Sequence, residues 1–150
     1  QIMRGYLNQA KATAESIDEA GWYRSGDIGY ADEDGFFYIV DRVKELIKYK
    51  GLQVSPAELE ALLLTHPDIM DVAVIPIPDE EAGELPKAYV VTRTGDLDNE
   101  SLAAQIMAFM AELVSPHKRI RVIEFCREIP KSASGKILRR MLVEQTRNKT

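Results

Sequence analysis

The stretch Asp-Arg-Val-Lys-Glu-Leu-Ile-Lys-Tyr-Lys-Gly, residues 41–51, divides this sequence of 150 residues into two parts. Four basic residues fall within nine of its positions, and they interrupt the apolar pattern found on either side. Domain boundaries commonly fall in polar, exposed segments of this kind. We therefore predict that residues 1–43 are the end of a larger domain and that residues 44–150 form a complete small domain.

The sequence after this boundary predicts an α+β fold. Ser55, Pro56 and Glu58 form the start signal of a helix, as cap, first-turn proline and capping-box acid. Apolar runs then predict strands over residues 72–77, 88–92 and 120–125, with an acidic, solvated loop over residues 79–84. Two more helices are predicted, one capped by Asn99 or Ser101 and one over residues 136–145. This order does not alternate as in a doubly wound sheet, so we expect a central three-stranded sheet flanked by helices.

The periodicity of the helices also predicts which side chains are buried. Apolar residues recur at helical spacing and should form one inward face on each helix. The predicted inward residues are Leu59, Leu62 and Leu63; Leu102, Ile106, Phe109, Met110 and Leu113; and Ile137, Leu138, Met141 and Leu142.

The part before the boundary predicts a short helix within residues 4–19 and then a β-hairpin. Strands are expected over residues 28–30 and 36–40, joined by the turn sequence Asp32-Glu33-Asp34-Gly35. We interpret this hairpin as the tail of a large N-terminal domain.

Composition excludes several classes of protein. Hydrophobic residues make up 45% and charged residues 29%, as in ordinary globular proteins, and no run of about 18 apolar residues predicts a membrane span. The single cysteine, Cys126, excludes an internal disulfide, so we expect a reducing compartment, the cytoplasm. The two histidines, His66 and His117, have no acid or cysteine cluster at ligand spacing, so we predict no metal site in this chain.

The charge is distributed unevenly. Residues 1–116 contain 9 basic and 21 acidic residues, whereas residues 117–150 contain 10 basic and 3 acidic ones. A basic end can attract nucleic acid, a phosphorylated small molecule or an acidic partner. Charge alone favours a solvated basic helix, so the motifs must decide.

Two short segments contain candidate functional residues. Ser132-Ala133-Ser134-Gly135-Lys136 resembles a phosphate-binding loop ahead of a helix, but proline and isoleucine stand where a Walker A loop has glycine and Ser/Thr. Lys136 is therefore either an anion-binding lysine or a surface lysine beside a helix cap. Asp27, after Ser25-Gly26, either satisfies backbone amides in a turn or binds the two hydroxyls of a ribose.

Four motifs in order resemble one family. They are Gly5-Tyr6-Leu7-Asn8 with Ala12-Thr13, then Gly21-Trp22-Tyr23-Arg24-Ser25-Gly26-Asp27, then residues 41–60, and then residues 130–140 with Gly135-Lys136 at their centre. The sequence resembles the C-terminal portion of the adenylate-forming superfamily, which includes acyl-CoA synthetases, 4-coumarate-CoA ligases, beetle luciferases and adenylation domains of peptide synthetases. The resemblance implies that residues 44–150 are a mobile lid. One departure is Ser25 where threonine is usual, and it keeps the hydroxyl.

The resemblance implies a role for each matching residue in nucleotide chemistry. Asp27 would hold the ribose of ATP or AMP, and Arg42 would contact ribose or phosphate. Lys44 would be the hinge beside the nucleotide. Lys48 and Lys136 would be the catalytic lysines that face the adenylate, Lys136 during adenylation and Lys48 during thioester formation.

Lys50, Gly51 and Gln53 match positions that bind CoA. The resemblance also implies ATP, with Mg²⁺ held by the upstream domain, and a small-molecule carboxylic acid as the other substrate. The partner would be the N-terminal domain of the same protein rather than nucleic acid.

The final motif favours a CoA ligase within the superfamily. It contains Ser-Gly-Lys-Ile-Leu-Arg, residues 134–139, where peptide-synthetase domains usually have Asn-Gly-Lys-Val-Asp-Arg. We therefore expect the C-terminal part of an ATP-dependent fatty or aryl acid-CoA ligase, inactive without the upstream domain. A luciferase-like or peptide-synthetase-type adenylation domain remains an alternative, as does a basic nucleic-acid-binding module from a different class.

Overall fold

The chain separates into two compact units, Gln1–Lys44 and Glu45–Thr150. The computed structural model describes residues 2–149 with the exception of positions 96 and 98. The division between the units lies one residue beyond the predicted position.

The first unit contains the predicted helix and hairpin. Its elements are α1 (Ala10–Ser16), β1 (Asp27–Ala31) and β2 (Phe37–Arg42), with β1 and β2 antiparallel. The turn between the strands is held by Asp32, whose carboxylate accepts hydrogen bonds from the amides of Phe36 and Asp34 at 2.9 and 3.1 Å. These hydrogen bonds lower the pKa of Asp32, and the bond from Phe36 has the largest effect. The hairpin prediction is confirmed.

The second unit is an α+β domain, which confirms the predicted fold class. Its elements in chain order are β3 (Ile47–Tyr49), β4 (Leu52–Val54), α2 (Pro56–Leu63), β5 (Ile69–Asp79), β6 (Gly83–Thr92), α3 (Glu100–Leu113), a short 3₁₀ turn (Pro116–Lys118), β7 (Val122–Phe125) and α4 (Arg139–Arg147). The strand order is β4-β3-β6-β5, and β7 runs parallel to β6.

The sheet of the second unit is buried on both faces. Successive side chains of a strand point to opposite faces, so β5 and β6 contribute alternate residues to two apolar clusters. One face packs against α2 and α3, through residues that include Leu59 and Ile106, and the other packs against α4 through Leu142. Burial on both sides explains why β5 and β6 are continuous apolar runs rather than alternating ones.

The N-terminal caps of α2 and α3 use side chains that the sequence predicted. The Ser55 hydroxyl accepts a hydrogen bond from the amide of Glu58 at 3.1 Å. The Asn99 side chain accepts one from the amide of Leu102 at 2.9 Å, so Asn99 rather than Ser101 is the cap of α3.

The predicted three-stranded sheet is wrong in strand number, because the sheet has five strands within the described residues. Of the two additional strands, β3 lies within the charged stretch that the sequence indicates only as a boundary, and β4 follows directly after it. Their buried residues, Ile47 and Val54, flank exposed polar ones, so the stretch lacks a long apolar pattern. The acidic loop is also shorter than predicted, because β5 extends to Asp79 and β6 begins at Gly83.

The last helix begins at Arg139 rather than at Lys136. Its inward face includes Leu142 and Val143, whereas Met141 is 46% exposed. Leu113, at the end of α3, is also exposed, at 49%. Leu113 is the last residue of α3, and Met141 lies beside the inward stripe of α4 (Arg139, Leu142, Val143 and Thr146) rather than on it. Within the described residues, no helix has the length and hydropathy needed to cross a membrane.

Candidate functional site

Asp27 and Arg42 are brought together by the hairpin of the first unit. They are register partners at the open end of β1 and β2, and Arg42 Nε donates to Asp27 Oδ1 at 3.1 Å. The Ser25 hydroxyl accepts from the amide of Asp27 at 3.1 Å. Both members of the pair are partly solvent-exposed. Asp27 therefore presents an oriented carboxylate beside a cation, a suitable arrangement for ribose hydroxyls next to phosphate.

Lys44 is the last residue of the first unit. It is exposed and lies in the turn formed by residues 43–45, immediately after β2. Val43 and Lys44 are both exposed, so backbone rotation at Lys44 takes no buried side chain out of the core.

A β-hairpin with a two-residue turn brings together Lys48, Lys50, Gly51 and Gln53. β3 pairs antiparallel with β4, and Lys48 is the register partner of Gln53. Lys50 and Gly51 form the turn with φ angles of 48° and 79°. Positive φ at both central residues is the mark of a type I′ turn, which suits the twist of a hairpin. The left-handed conformation is costly for lysine and easy for glycine, so this turn holds Lys50 in an unusual conformation.

The acidic turn at residues 79–84 contacts this hairpin directly. The amide of Lys48 donates to a carboxylate oxygen of Glu84 at 2.7 Å, and the amide of Lys50 donates to the carbonyl of Ala82 at 2.8 Å. The ammonium of Lys50 forms an ion pair with Glu81, which raises the pKa of Lys50. The sequence predicted a solvated loop here and missed Glu81 and Glu84. The opposite charges of the two segments were the only available signal.

Lys136 lies in a closed loop rather than at the start of a helix. Lys131 and Ile137 form an antiparallel bridge, and the amide of Lys136 donates to the Ser132 hydroxyl at 3.1 Å. Gly135, with φ of 80°, completes the turn. The expectation that Lys136 begins a helix is therefore wrong, because α4 begins three residues later. The loop instead holds the backbone of Lys136 and leaves its side chain exposed.

Lys48 and Lys136 share one electrostatic property. Among residues 2–149 apart from positions 96 and 98, no acid lies within ion-pair distance of either ammonium. Most lysines of the second unit differ: Lys50, Lys87, Lys118, Lys131 and Lys149 each pair with an acid. Lys48 and Lys136 thus have ammonium groups available to an anionic ligand.

A mostly buried ion network lies at the end of the Lys136 loop. The sequence analysis did not predict this network. Arg139 donates from one terminal nitrogen to Glu45 at 2.7 Å and from the other to Glu60 at 2.6 Å. Glu60 is 8% exposed and also accepts from the amide of Val74 at 2.8 Å. One guanidinium therefore joins the first residue of the second unit to α2, β5 and the end of the Lys136 loop.

Half of the ten basic residues at the end of the chain form ion pairs with acids, most of which are distant in the sequence. In the described part of residues 117–150, ion pairs form from Lys118, Lys131, Arg139, Arg140 and Lys149. A continuous positive face for a nucleic-acid backbone would need these charges unpaired. The described residues also contain no group of three or more His, Cys, Asp or Glu that could hold a metal ion, so no residue here is assigned to Mg²⁺.

Comparison with known proteins identifies the family of this chain. Residues 58–136 match the AMP-binding enzyme C-terminal domain family. The chain belongs to this family. The match includes the β5–β6 hairpin and ends at Lys136, and it confirms the resemblance to adenylate-forming enzymes.

Two curated relatives and one solved structure are similar to this member of the AMP-binding enzyme C-terminal domain family. A probable CoA ligase of Humulus lupulus, CCL5, is 57% identical over 148 residues, 99% of this chain and 26% of that protein. The peroxisomal OPC-8:0-CoA ligase 1 of Arabidopsis thaliana is 57% identical over 143 residues, 95% of this chain and 26% of that protein. The ATP-bound RpMatB-BxBclM chimera B1 superposes with a TM-score of 0.92 at 27% identity, over 98% of this chain and 29% of that one. The chain thus spans about a quarter of the length of the curated relatives it matches.

Proposed function

We propose that this chain is the mobile C-terminal part of an ATP-dependent carboxylic acid-CoA ligase, which forms an acyl adenylate and then an acyl-CoA. The observation that carries the proposal is a pair of exposed lysines, Lys48 on β3 and Lys136 in the loop before α4. Both lie in one compact unit, and neither has an acid partner among the described residues. Membership of the AMP-binding enzyme C-terminal domain family and the CoA ligase names of the relatives support it.

In the first step, the substrate carboxylate attacks the α-phosphate of ATP and pyrophosphate leaves. The attacking oxygen and the phosphate are both negative, so they repel each other. A positioned ammonium offsets this repulsion and holds the oxygen in line. We assign this role to Lys136, because its loop fixes the backbone and leaves the ammonium free of acids among the described residues.

In the second step, the thiol of CoA attacks the acyl carbon and AMP leaves. This step needs a route for the thiol and a cation facing the adenylate from another direction. We assign the cation to Lys48, and we assign CoA contacts to Lys50, Gly51 and Gln53 on the same hairpin. A rotation at Lys44 would exchange the two lysines between steps, as lids do in other enzymes.

Within the first unit, we assign Asp27 and Arg42 to binding of the nucleotide. The Asp27 carboxylate would accept hydrogen bonds from the ribose hydroxyls of ATP and of the adenylate, and Arg42 would contact ribose or phosphate. The N-terminal domain of the full-length protein would supply the acid pocket and the ligands of the Mg²⁺ that accompanies ATP. We propose a fatty or aryl acid as substrate and, from the single cysteine, a cytoplasmic location.

Separate measurement of the two half-reactions in the full-length protein tests this function. Adenylation is followed by pyrophosphate exchange and thioester formation by CoA consumption from supplied acyl adenylate. Lys136→Ala should lower adenylation on the order of a hundredfold and largely spare thioester formation, and Lys48→Ala should do the reverse. Lys11→Ala, which changes an exposed lysine of α1, is the matched control.

Equal loss in both half-reactions for each variant would refute the division of roles. The 150-residue chain alone should form no acyl-CoA from acid, ATP and CoA, since the proposed substrate pocket lies in the other domain. Turnover by this chain alone would refute the two-domain proposal.

A further inference from the structure

The acidic turn at the tip of the β5–β6 hairpin supports the backbone that carries Lys48. Glu84 binds the amide of Lys48, the carbonyl of Ala82 binds the amide of Lys50, and Gly83 is the register partner of Tyr49. Three consecutive residues of the turn therefore contact three consecutive residues of β3 and its turn. The contact between β3 and β6 is confined to this short segment.

The Glu84 contact replaces a backbone bond of the sheet. Amides two residues apart on a strand point to the same edge, and those of Lys48 and Lys50 both point toward β6. The amide of Lys50 donates a hydrogen bond to a backbone carbonyl, whereas the amide of Lys48 donates one to the Glu84 carboxylate at 2.7 Å. A hydrogen bond to a carboxylate is stronger than one between neutral groups. Glu84 therefore restrains the residue that carries the proposed catalytic ammonium.

The other acids of this turn have different contacts. Glu81 pairs with the side chain of Lys50, and Asp79 accepts from the amides of Glu81 and Ala82 within the turn. Glu80 is exposed, and no hydrogen bond or ion pair joins its carboxylate to the described residues. Glu84 is thus distinguished from its neighbours by a direct bond to the backbone of Lys48.

We propose that Glu84 is a positioning residue for thioester formation, which acts by fixing the backbone of Lys48. The inference rests on the role proposed for Lys48 in that step. Glu84 keeps β3 at the distance from β6 at which the Lys48 ammonium reaches the adenylate. In the described part of the chain, none of the contacts that hold the Lys136 loop involves Glu84, so adenylation does not depend on it.

Three variants of the full-length protein test the proposal. Glu84→Leu removes the acceptor, Glu84→Gln keeps an amide oxygen that can accept from the Lys48 amide, and Glu80→Leu is the matched control in the same turn. Glu84→Leu should lower the rate of thioester formation from supplied acyl adenylate about tenfold or more, the effect of losing a hydrogen bond to a charged group. The rate of thioester formation by Glu84→Gln should stay within about threefold of the rate of the parent protein. The rate of Glu80→Leu should equal that of the parent protein. Adenylation should be unchanged in all three.

Hydrogen exchange gives a readout that is independent of activity. The amide of Lys48 should exchange faster in Glu84→Leu than in Glu84→Gln, since only the latter retains an acceptor. Equal loss of both half-reactions in Glu84→Leu, or unchanged protection of the Lys48 amide, would overturn the positioning role.

A double-mutant cycle with Lys48→Ala separates this inference from the proposed function. If Glu84 acts through Lys48, Glu84→Leu should cause little further loss once Lys48 is alanine. A full additional loss would show that Glu84 acts by another route and would overturn the inference while leaving the function intact. A Lys48→Ala variant with normal thioester formation would instead overturn the role of Lys48, and the inference with it.

Discussion

Arg139 and Glu60 form an ion pair of 2.6 Å between the first residue of the last helix and the buried side of α2. The Arg139 side chain is 17% exposed and that of Glu60 is 11% exposed. Glu60 also accepts from the amide of Val74, so its carboxylate has partners on both sides. The pair fixes where α4 starts, and with it the end of the loop that carries Lys136.

The first prediction concerns the stability of this network. Arg139→Met should lower the free energy of unfolding of the chain by about 3 kcal/mol, because it leaves the buried carboxylate of Glu60 without its cation. Arg140→Met is the matched control, since Arg140 pairs with Glu144 on the surface with its side chain 90% exposed. That variant should change stability by less than about 0.5 kcal/mol. Urea unfolding followed by circular dichroism measures both, and similar losses would contradict the burial argument.

The second prediction concerns pH. Burial raises the pKa of Glu124, but hydrogen bonds from Lys149 and Lys87 outweigh it and lower the pKa below its usual 4.5. A carboxyl with a lowered folded-state pKa stabilises the fold above its unfolded pKa and loses that contribution as pH falls through the folded one. Stability should therefore decline as pH drops below about 4.5.

The Glu124→Gln variant checks the cause of that decline. It should be less stable at pH 7 by about 3 kcal/mol, because the nearly buried ammonium of Lys87 loses its partner. Its stability should also vary less between pH 5 and pH 3 than that of the parent chain. Parallel pH profiles from thermal unfolding would exclude Glu124 as a source of the acid sensitivity.

The third prediction concerns the turn between β3 and β4. Gly51 has φ of 79°, which an L side chain adopts at a cost, although no atom lies within 4 Å of where its Cβ would be. Gly51→Ala should lower the free energy of unfolding by about 1 kcal/mol through backbone strain alone. Lys50→Asn should cause no such loss, since asparagine tolerates the left-handed region better than lysine. Equal destabilisation by both, measured in urea, would contradict the type I′ assignment.

The fourth prediction concerns nucleotide binding. In the full-length protein, Asp27→Ala should raise the KM for ATP on the order of tenfold, because it removes the acceptor proposed for the ribose hydroxyls. Asp34→Ala, in the exposed turn of the same hairpin, should leave the KM unchanged. Steady-state kinetics at varied ATP gives both values, and an unchanged KM in Asp27→Ala would remove Asp27 from the proposed site.

Local sequence patterns determined much of the molecule. The hairpin of the first unit, the caps at Ser55 and Asn99, and the apolar strands β5 and β6 follow from turn chemistry, capping and hydrophobic runs. Each depends on residues that are close in the chain, so each could be predicted. The α+β class follows from the order of these elements, and the family follows from motifs at fixed spacing.

The tertiary structure decided what depends on contacts between distant residues. The Glu84 contact with Lys48 spans 36 positions and the Arg139 contact with Glu60 spans 79, and no local pattern specifies either partner. The same holds for β3 and β4, which are short and lack a long apolar run: β3 pairs with the distant strand β6, and β4 joins the sheet through β3. The sequence alone thus identified Lys48 and Lys136 as candidates. Only the folded chain determined which groups hold their backbones, because that depends on elements that meet in space and not along the chain.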